Sequence, residues 1–313
     1  MLRRLIALTL ALAPPASAAT ICDAVWRDAP RARDLPLRIR LPDGSGKVPA
    51  VFWSPGLGGT RTGGEAWARA WAAAGFAVIQ LEHPGSDAAV YAGTATPEER
   101  RARVMAAASG PQLIARAADV SFIADELERR PTEGACALSR IDRDRLALAG
   151  HSMGAWTVQA IAGQRFGPDG IGPTLIDRRF RAFIAFSPNA NPASNPAAAF
   201  GQIGRPFLAI TGTQDGVPLS GDPALRESAL AQRTRIFTGL PADGRKAIAV
   251  FAGATHMMFA GNLRDTSPLA THVHTSSIAL TTAWLRHWLL NDPAAERTLA
   301  KPPLASADSW QRK

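Results

Sequence analysis

The chain has 313 residues and is 46% apolar, so it is long enough to bury a substantial hydrophobic core in one domain. Its formal net charge of +9 comes from arginines scattered along the chain, with no block of five or more like charges. This distribution excludes a basic arm of the kind that binds nucleic acid. We interpret the charge as a solvated surface rather than as a surface for anions or membranes.

The first eighteen residues have the layout of a secretory signal peptide. Arg3 and Arg4 precede an apolar run, and two prolines separate that run from the small residues Ala16–Ala18. A membrane span needs about 20 apolar residues, and the prolines interrupt this run well before that length. The sequence therefore predicts cleavage after Ala18, export to the periplasm or the medium, and a mature domain over residues 19–313 without an integral membrane segment.

The chain contains two cysteines, Cys22 and Cys136, and both lie in the predicted mature domain. Export would bring them into an oxidising compartment, where they can pair. We expect one disulfide that ties the N-terminus to the body of the domain. Two unrelated buried thiols are the alternative.

Short runs of β type alternate with helical stretches along the chain, which is the pattern of a mostly parallel sheet covered by helices on both faces. Continuous apolar runs indicate strands buried on both sides, and apolar spacing of three to four residues indicates helices. In chain order, the predicted elements are an edge strand at Leu35–Leu41, a strand at Val48–Trp53, a helix at Glu65–Ala74, a strand at Phe76–Leu81, a helix at Leu113–Arg129, a strand at Arg145–Ala149, a helix at Gly154–Ala162, strands at Ala182–Phe186 and Pro206–Thr211, a helix at Ala224–Arg233, a strand at Ala247–Phe251 and a helix at Ser276–Leu290.

Two long segments match no core element of this pattern, Pro84–Gly110 and Ser187–Gly204. Long irregular segments in a compact domain are often functional loops or lids, and we treat Pro84–Gly110 as a candidate lid. No internal repeat or low-complexity linker interrupts the order of elements. The expectation is therefore a single, doubly wound α/β domain.

The strongest chemical motif is Gly150-His151-Ser152-Met153-Gly154, which lies between the predicted strand Arg145–Ala149 and a predicted helix. G-x-S-x-G in that position is typical of the nucleophile elbow of the α/β-hydrolase fold, where the serine sits on a strained turn above the sheet. The two glycines fit this role because bulk at either flank would displace the serine. The motif predicts Ser152 as a nucleophile.

A serine hydroxyl is a weak nucleophile at neutral pH, so Ser152 needs a general base. In this fold the base follows the serine and the acid in the chain. His256 lies in a loop between the predicted strand Ala247–Phe251 and the last helix, where the base is expected. His272 and His274 are the alternatives. The remaining histidines are less suited by position, namely His83, His151 and His287.

The carboxylate that orients the base is predicted from the end of another strand. Asp215 follows the strand Pro206–Thr211 and precedes Gly216 in a turn, which would direct the acid toward the histidine loop. Asp222 is the alternative, although its position before Pro223 is typical of a helix cap.

Two preorganised N–H donors are expected to stabilise the oxyanion of the reaction. One is the N–H after the nucleophile, that of Met153, and the other comes from the loop after an early strand. Here that loop is the glycine-rich segment Ser54–Gly59, and Leu57 is the predicted donor. No G-K-[ST] follows the glycines, so nucleotide binding is poorly supported.

Four motifs occur in this order along the chain: Trp53–Gly59, Leu81–Ser86, Ala118–Ile123 and Gly150–Gly154. Together they resemble the bacterial relatives of platelet-activating-factor acetylhydrolase, often described as predicted dienelactone hydrolases. The similarity runs from about Leu35 to the last helix. The resemblance implies a metal-independent carboxylic ester hydrolase with Leu57 and Met153 as oxyanion donors.

The chain departs from these relatives at two points. True dienelactone hydrolases use a cysteine nucleophile where this chain has Ser152. The mammalian acetylhydrolase takes its acid from just after the sixth strand, where this chain reads Ser187-Pro188-Asn189-Ala190, so Asp215 must serve. The five residues around Ser152 also resemble those of polyester-degrading cutinases.

The predicted activity is hydrolysis of short to medium acyl esters through an acyl-enzyme, without a metal or organic cofactor. Trp156, Phe186, Met257 and Phe259 are candidates for an acyl pocket, with a place in the core as the alternative for each. Other functions remain open: an acyltransferase with the same catalytic groups, a polyester or lipid hydrolase, a peptidase, and a binding protein without activity. The oligomeric state is not predicted.

Overall fold

The computed structural model describes residues 19–93, 96–167, 172, 174–191, 194–216 and 223–313. The predicted signal peptide and the alternative acid Asp222 lie outside these ranges. Within them, no helix is long and apolar enough to cross a membrane.

One mixed sheet of nine strands forms the centre of the described structure. The strands are β1 Thr20–Asp28, β2 Arg33–Leu41, β3 Val48–Ser54, β4 Ala77–Leu81, β5 Ile141–His151, β6 Phe180–Phe186, β7 Phe207–Gln214, β8 Lys246–Thr255 and β9 Ser309–Arg312. Their order is β1-β2-β4-β3-β5-β6-β7-β8-β9. The six strands from β4 to β8 in this order pair in parallel, whereas β1, β2 and β9 pair antiparallel at the two ends. The predicted mostly parallel sheet is confirmed.

The eight α-helices of the described residues are α1 Glu65–Ala73, α2 Pro97–Ala107, α3 Gly110–Arg129, α4 Met153–Ala162, α5 Pro196–Phe200, α6 Pro223–Gly239, α7 Pro268–Leu290 and α8 Pro293–Ala300. They cover both faces of the sheet. On one face, α3, α4 and α6 contribute Val120, Val158 and Ile236 to the core. On the other face, α1 and α7 contribute Trp67 and Trp284 to a second core.

The continuous apolar runs of the sequence reflect this two-sided burial. In β3, Ala50 and Phe52 belong to one core, and Val51 and Trp53 belong to the other, because successive side chains of a strand point to opposite faces. All four are at most 1% exposed. A strand between two helical layers therefore has no polar face.

Three predictions about the elements were wrong. The predicted edge strand Leu35–Leu41 lies in β2, which pairs with β1 on one side and β4 on the other, so β1 is the edge. Pro84–Gly110 contains α2, and Ser187–Gly204 contains α5. Helix α2 has a capping box but only one buried residue, so its sequence shows no apolar stripe.

The predicted disulfide between Cys22 and Cys136 is confirmed, with their Cα atoms 6.2 Å apart. It joins the edge strand β1 to the segment that follows α3. Because the chain has no other cysteine, no free thiol remains. The bridge therefore fixes the N-terminal hairpin of β1 and β2 to the body of the fold.

Candidate active site

Parallel strands bring the three predicted catalytic residues to one edge of the sheet. Ser152 follows β5, Asp215 follows β7, and His256 follows β8. The carboxyl ends of parallel strands meet at the same edge, which is where open α/β sheets bind ligands. The oxyanion loop, defined here as residues 54–59, leaves β3 at the same edge.

The three side chains form a continuous hydrogen-bonded relay. His256 Nε2 lies 3.0 Å from Ser152 Oγ, and His256 Nδ1 lies 2.7 Å from Asp215 Oδ1. A carboxylate only accepts hydrogen bonds, so Nδ1–H donates to Asp215 and Nε2 is free to accept the proton of Ser152. Ser152 is partly exposed, and His256 is 8% exposed. We call these residues the open relay.

The alternative bases are engaged elsewhere. His272 Nε2 lies 2.7 Å from Asp308 Oδ2, and His274 Nε2 donates to the carbonyl oxygen of Met258 at 3.0 Å. Neither is hydrogen-bonded to Ser152. Of the histidines considered from the sequence, His256 is the one that the structure places on Ser152.

The elbow holds Ser152 in a strained conformation. Its φ of 56° and ψ of −114° are unfavourable for a residue with a Cβ atom and cost about 1 to 3 kcal/mol. The two flanking glycines are required by close packing against the oxyanion loop: a Cβ on Gly154 would overlap the carbonyl oxygen of Ser54, and one on Gly150 would lie 2.6 Å from the carbonyl of Gly154. Neither glycine has a positive φ, so space rather than backbone freedom explains the motif.

Asp215 is completely buried and has two further partners. Its Oδ2 accepts from Thr211 Oγ1 at 2.7 Å, and Arg233 Nε lies 2.8 Å from its Oδ1. Burial raises the pKa of Asp215, but the hydrogen bond from His256 and the charge of Arg233 outweigh it, so the pKa is lowered. The carboxylate is therefore ionised. Arg233 also donates to the carbonyl oxygen of Ser187 at 2.9 Å, which anchors the acid loop to the end of β6.

His151, inside the elbow motif, supports the loop of the base. Its Nε2 lies 3.0 Å from the carbonyl oxygen of His256, and the two rings are 4.6 Å apart. Burial, followed by the charge of His256, lowers the pKa of His151 to about 3, so the ring is neutral. A carbonyl oxygen only accepts, so Nε2 carries the hydrogen and donates.

The two predicted oxyanion donors lie on segments that touch at Ser152. A Cβ on Gly56 would lie 3.4 Å from Ser152 Cβ, so the loop that carries Leu57 packs directly on Ser152. Among the described residues, the N–H of Leu57 donates to no acceptor. Met153 is the first residue of α4, where N–H groups have no acceptor within the helix. Both N–H groups are thus available to a ligand oxygen.

The candidate acyl-pocket residues divide into two groups. Phe186 is completely buried, with its ring 4.5 Å from that of Trp67, so its side chain belongs to the core and lines no open surface. Phe259 is likewise buried. Met257 is 60% exposed beside the base, and Trp156 is partly exposed in the first turn of α4. These last two remain candidates for contact with an acyl chain.

A second Ser–His–Asp arrangement begins at Ser54, the first residue of the oxyanion loop. Ser54 Oγ lies 3.0 Å from His83 Nε2, and His83 Nδ1 lies 2.9 Å from Asp119 Oδ2. All three side chains are 0% exposed, and we call them the sealed relay. Burial, followed by the charge of Arg116, lowers the pKa of His83 to about 4, so the ring is neutral and Ser54 O–H donates to it.

Asp119 holds this second arrangement to the N-terminal hairpin. Arg33 Nε and Arg31 Nη1 donate to Asp119 Oδ1 at 2.7 and 2.8 Å. Burial raises the pKa of Asp119, but the hydrogen bonds from His83 and Arg33 outweigh it and lower the pKa below its usual range. No role was predicted for Asp119 from the sequence. The available signal was that Ser54, His83 and Asp119 each lie in one of the four motifs noted there.

Comparisons with known proteins indicate no function for this chain, so a proposal of function depends on the geometry of this site. No protein-family model and no curated protein matches the chain. Among the described residues, no three His, Cys, Asp or Glu side chains come together in a group that could hold a metal ion.

Proposed function

We propose that this chain is an exported serine carboxylic ester hydrolase of the α/β-hydrolase fold, similar to the bacterial platelet-activating-factor acetylhydrolase relatives. The observation that carries the proposal is the open relay: a strained, partly exposed Ser152 is hydrogen-bonded to His256, and His256 to the buried, ionised Asp215. Two unengaged N–H groups lie on segments beside that serine. This set of nucleophile, base, acid and oxyanion donors suits acyl transfer.

The first half-reaction forms an acyl-enzyme. Ser152 Oγ attacks the ester carbonyl carbon while its proton passes to His256 Nε2, and Asp215 stabilises the imidazolium. The N–H groups of Leu57 and Met153 hold the oxyanion of the tetrahedral intermediate. When the intermediate collapses, the bond to the alkoxy group breaks, and the departing alcohol takes the proton from His256.

The second half-reaction returns the free enzyme. Water attacks the acyl carbonyl and gives its proton to His256, through a second oxyanion held by the same two donors. Collapse of that intermediate breaks the bond to Ser152, which recovers its proton from His256. The products are a carboxylic acid and an alcohol, and no redox or metal step is needed for the balance.

Export is part of the proposal. Disulfides persist in oxidising compartments and are rare in the cytosol, and the bridge between Cys22 and Cys136 supports an oxidising location. The layout of the first eighteen residues supports the same interpretation.

The test uses p-nitrophenyl esters from acetate to decanoate, with the mature protein and two variants. We expect the wild type to hydrolyse the shorter esters and Ser152→Ala to lose about 10⁴ to 10⁶ in kcat. Ser121→Ala is the matched control, because Ser121 on α3 donates to Asp177, which belongs to neither relay, and it should keep full activity. Addition of alcohols and of matched amides separates the hydrolase from an acyltransferase and a peptidase. Activity that survives in Ser152→Ala would remove the proposed nucleophile.

A further inference from the structure

Arg116 on α3 is a buried arginine without a carboxylate partner. Its side chain is 0% exposed, and it forms no ion pair among the described residues. Burial lowers the pKa of its guanidinium to about 9, so the group stays charged at neutral pH. A buried charge is costly unless hydrogen bonds satisfy it. The bonds that this group makes therefore explain its place in the fold.

The guanidinium holds the oxyanion loop at several points. Its Nη2 donates to Ser54 Oγ at 3.0 Å and to the carbonyl oxygen of Pro55. Its Nη1 donates to Ser86 Oγ at 2.7 Å, and the carbonyl oxygen of Ser86 accepts from the N–H of Gly58 at 2.8 Å. Leu57 therefore lies between residues that the guanidinium reaches directly or through Ser86.

A third branch of the same group holds the start of α4. The Nε of Arg116 donates to Thr157 Oγ1 at 3.0 Å, and that hydroxyl donates to the carbonyl oxygen of Met153 at 3.1 Å. Met153 carries the other oxyanion donor. One planar, rigid group thus connects the two segments that supply the two N–H groups.

We propose that Arg116 is a positioning residue that fixes the spacing between the N–H groups of Leu57 and Met153. The inference rests on the proposed ester hydrolysis, because that reaction gives the two donors a common oxyanion. Arginine suits this role because its donors point in fixed directions, whereas lysine presents one ammonium group on a flexible stem. Being fully buried, the guanidinium acts through the peptide units it holds.

The expected signature of Arg116→Met is a loss in kcat without a matching change in KM. Removal of one oxyanion donor costs about 10² to 10³ in kcat, and a donor misplaced by about 1 Å costs about 10². We therefore expect kcat for p-nitrophenyl butyrate to fall about 100-fold and KM to change less than about threefold. The affinity for an alkyl trifluoromethyl ketone, whose adduct with serine carries an oxyanion, should fall by a similar factor.

Two further variants separate positioning from a general loss of packing. Thr157→Val keeps the shape and the charge but removes the branch to α4, and should lower kcat about 3- to 10-fold at unchanged KM. Arg40→Met is the matched control: Arg40 is 4% exposed on β2 and bonds to Gln80 and Glu65, neither of which belongs to a donor segment. It should lower the melting temperature and keep kcat within about twofold. Titration with a fluorophosphonate counts active sites, so that misfolded protein is not scored as slow enzyme.

Unchanged kcat in Arg116→Met would overturn the positioning role and leave the proposed function intact. If that variant does not fold, Thr157→Val decides by the same criterion. A wild type that hydrolyses no ester and takes no label would overturn the proposed function instead.

Hydrogen exchange then tests Arg116 independently of activity. The peptides that cover residues 54–59 and 151–157 should both exchange faster in Arg116→Met, or in Thr157→Val if the first variant does not fold, and not in Arg40→Met. Faster exchange in neither peptide, or in one alone, would overturn the coupling between the two segments.

Discussion

The open and sealed relays have almost the same internal geometry and opposite surroundings. The serine-to-histidine distance is 3.0 Å in both, and the histidine-to-aspartate distances are 2.7 and 2.9 Å. Ser152 sits on a strained turn with partial access to solvent, whereas Ser54 ends a buried strand and is 0% exposed. Three side chains at these distances therefore do not define a catalytic site. A catalytic site of this kind also needs a serine that a substrate can reach and N–H donors that are available to the oxyanion.

The bonds to the two serines show the same contrast. Ser54 accepts a hydrogen bond from the buried Arg116 and is thereby part of the support of the oxyanion loop. Ser152 has His256 as its side-chain partner among the described residues, so its hydroxyl remains free to attack. Under the proposed function, the sealed relay supports the oxyanion loop and the open relay carries out the reaction.

The largest expected effect comes from replacing the aspartate of each relay, in separate variants, by asparagine. Asp215→Asn leaves His256 in the wrong tautomer and should lower kcat by about 10³ to 10⁴ with little change in KM. Asp119→Asn should lower kcat less than about tenfold but lower the free energy of unfolding by about 3 to 5 kcal/mol, because it removes the buried carboxylate that the partly buried Arg31 and Arg33 share. Kinetics and urea unfolding of both variants measure the two losses, in kcat and in the free energy of unfolding. If Asp119→Asn proved slower than Asp215→Asn, the roles of the two relays would be reversed.

The next effect concerns the disulfide, which holds the hairpin that supplies Arg31 and Arg33 to the sealed relay. The double variant Cys22→Ser, Cys136→Ser should lose up to about 4 to 5 kcal/mol of stability, because the bridge closes a loop with a sequence separation of 114 residues. Esterase kcat at 25 °C should stay within about twofold, since among the described residues no hydrogen bond or ion pair joins the hairpin to the open relay. Calorimetry and kinetics measure the two quantities. Two titratable thiols in the denatured wild type would contradict the bridge.

The pH dependence of stability should report the buried, neutral histidines. Burial and the charge of Arg116 lower the pKa of His83 to about 4, so between about pH 6.5 and 4 the unfolded chain binds a proton that the folded chain does not. The free energy of unfolding should therefore fall by up to about 3 kcal/mol for this residue as pH decreases through that window. His151 adds to the loss in the same direction.

Urea unfolding at several pH values measures this slope. His83→Gln should flatten it. A wild type whose stability is constant from pH 6.5 to 4 would contradict the neutral, sealed state of His83.

The smallest expected effect concerns the segment Pro84–Gly110, the candidate lid. A Cβ on Gly58 would overlap the ring of Tyr91, so this segment packs on the oxyanion loop. Tyr91 is 47% exposed there. Tyr91→Ala should change the ratio of kcat/KM for butyrate and decanoate esters by about 3- to 10-fold with little loss of stability. Val25→Ala, on the edge strand, should leave that ratio unchanged. An unchanged ratio of kcat/KM in both variants would show that the segment is a surface loop without influence on the choice of acyl chain.

The elements that could be predicted from sequence are those with a local signal. The buried strands appear as apolar runs, and the elbow combines a strand, two glycines and a helix within a few residues. Phe186 shows what such local signals cannot predict. Its apolar run indicates a strand, but which side of the strand faces the site depends on the register within the sheet. Helix α2 had a local signal in Thr96 and Glu99, its capping box, without an apolar stripe to support it.

The supports of the site could not be predicted because they act across long separations. Arg116 bonds to Ser54 across 62 residues, and His83 bonds to Asp119 across 36. Arg233 was predicted only as the end of a helix, yet it pairs with Asp215. A buried arginine resembles a surface arginine in sequence, and only the folded chain shows which polar groups surround it.

We propose that the open relay, and not the sealed one, holds the reactive serine. A fluorophosphonate with a reporter group labels activated serines, and peptide mass mapping locates the adduct. We expect one adduct per chain on Ser152, none on Ser54, and no labelling of Ser152→Ala. An adduct on Ser54, or labelling that persists in Ser152→Ala, would contradict it.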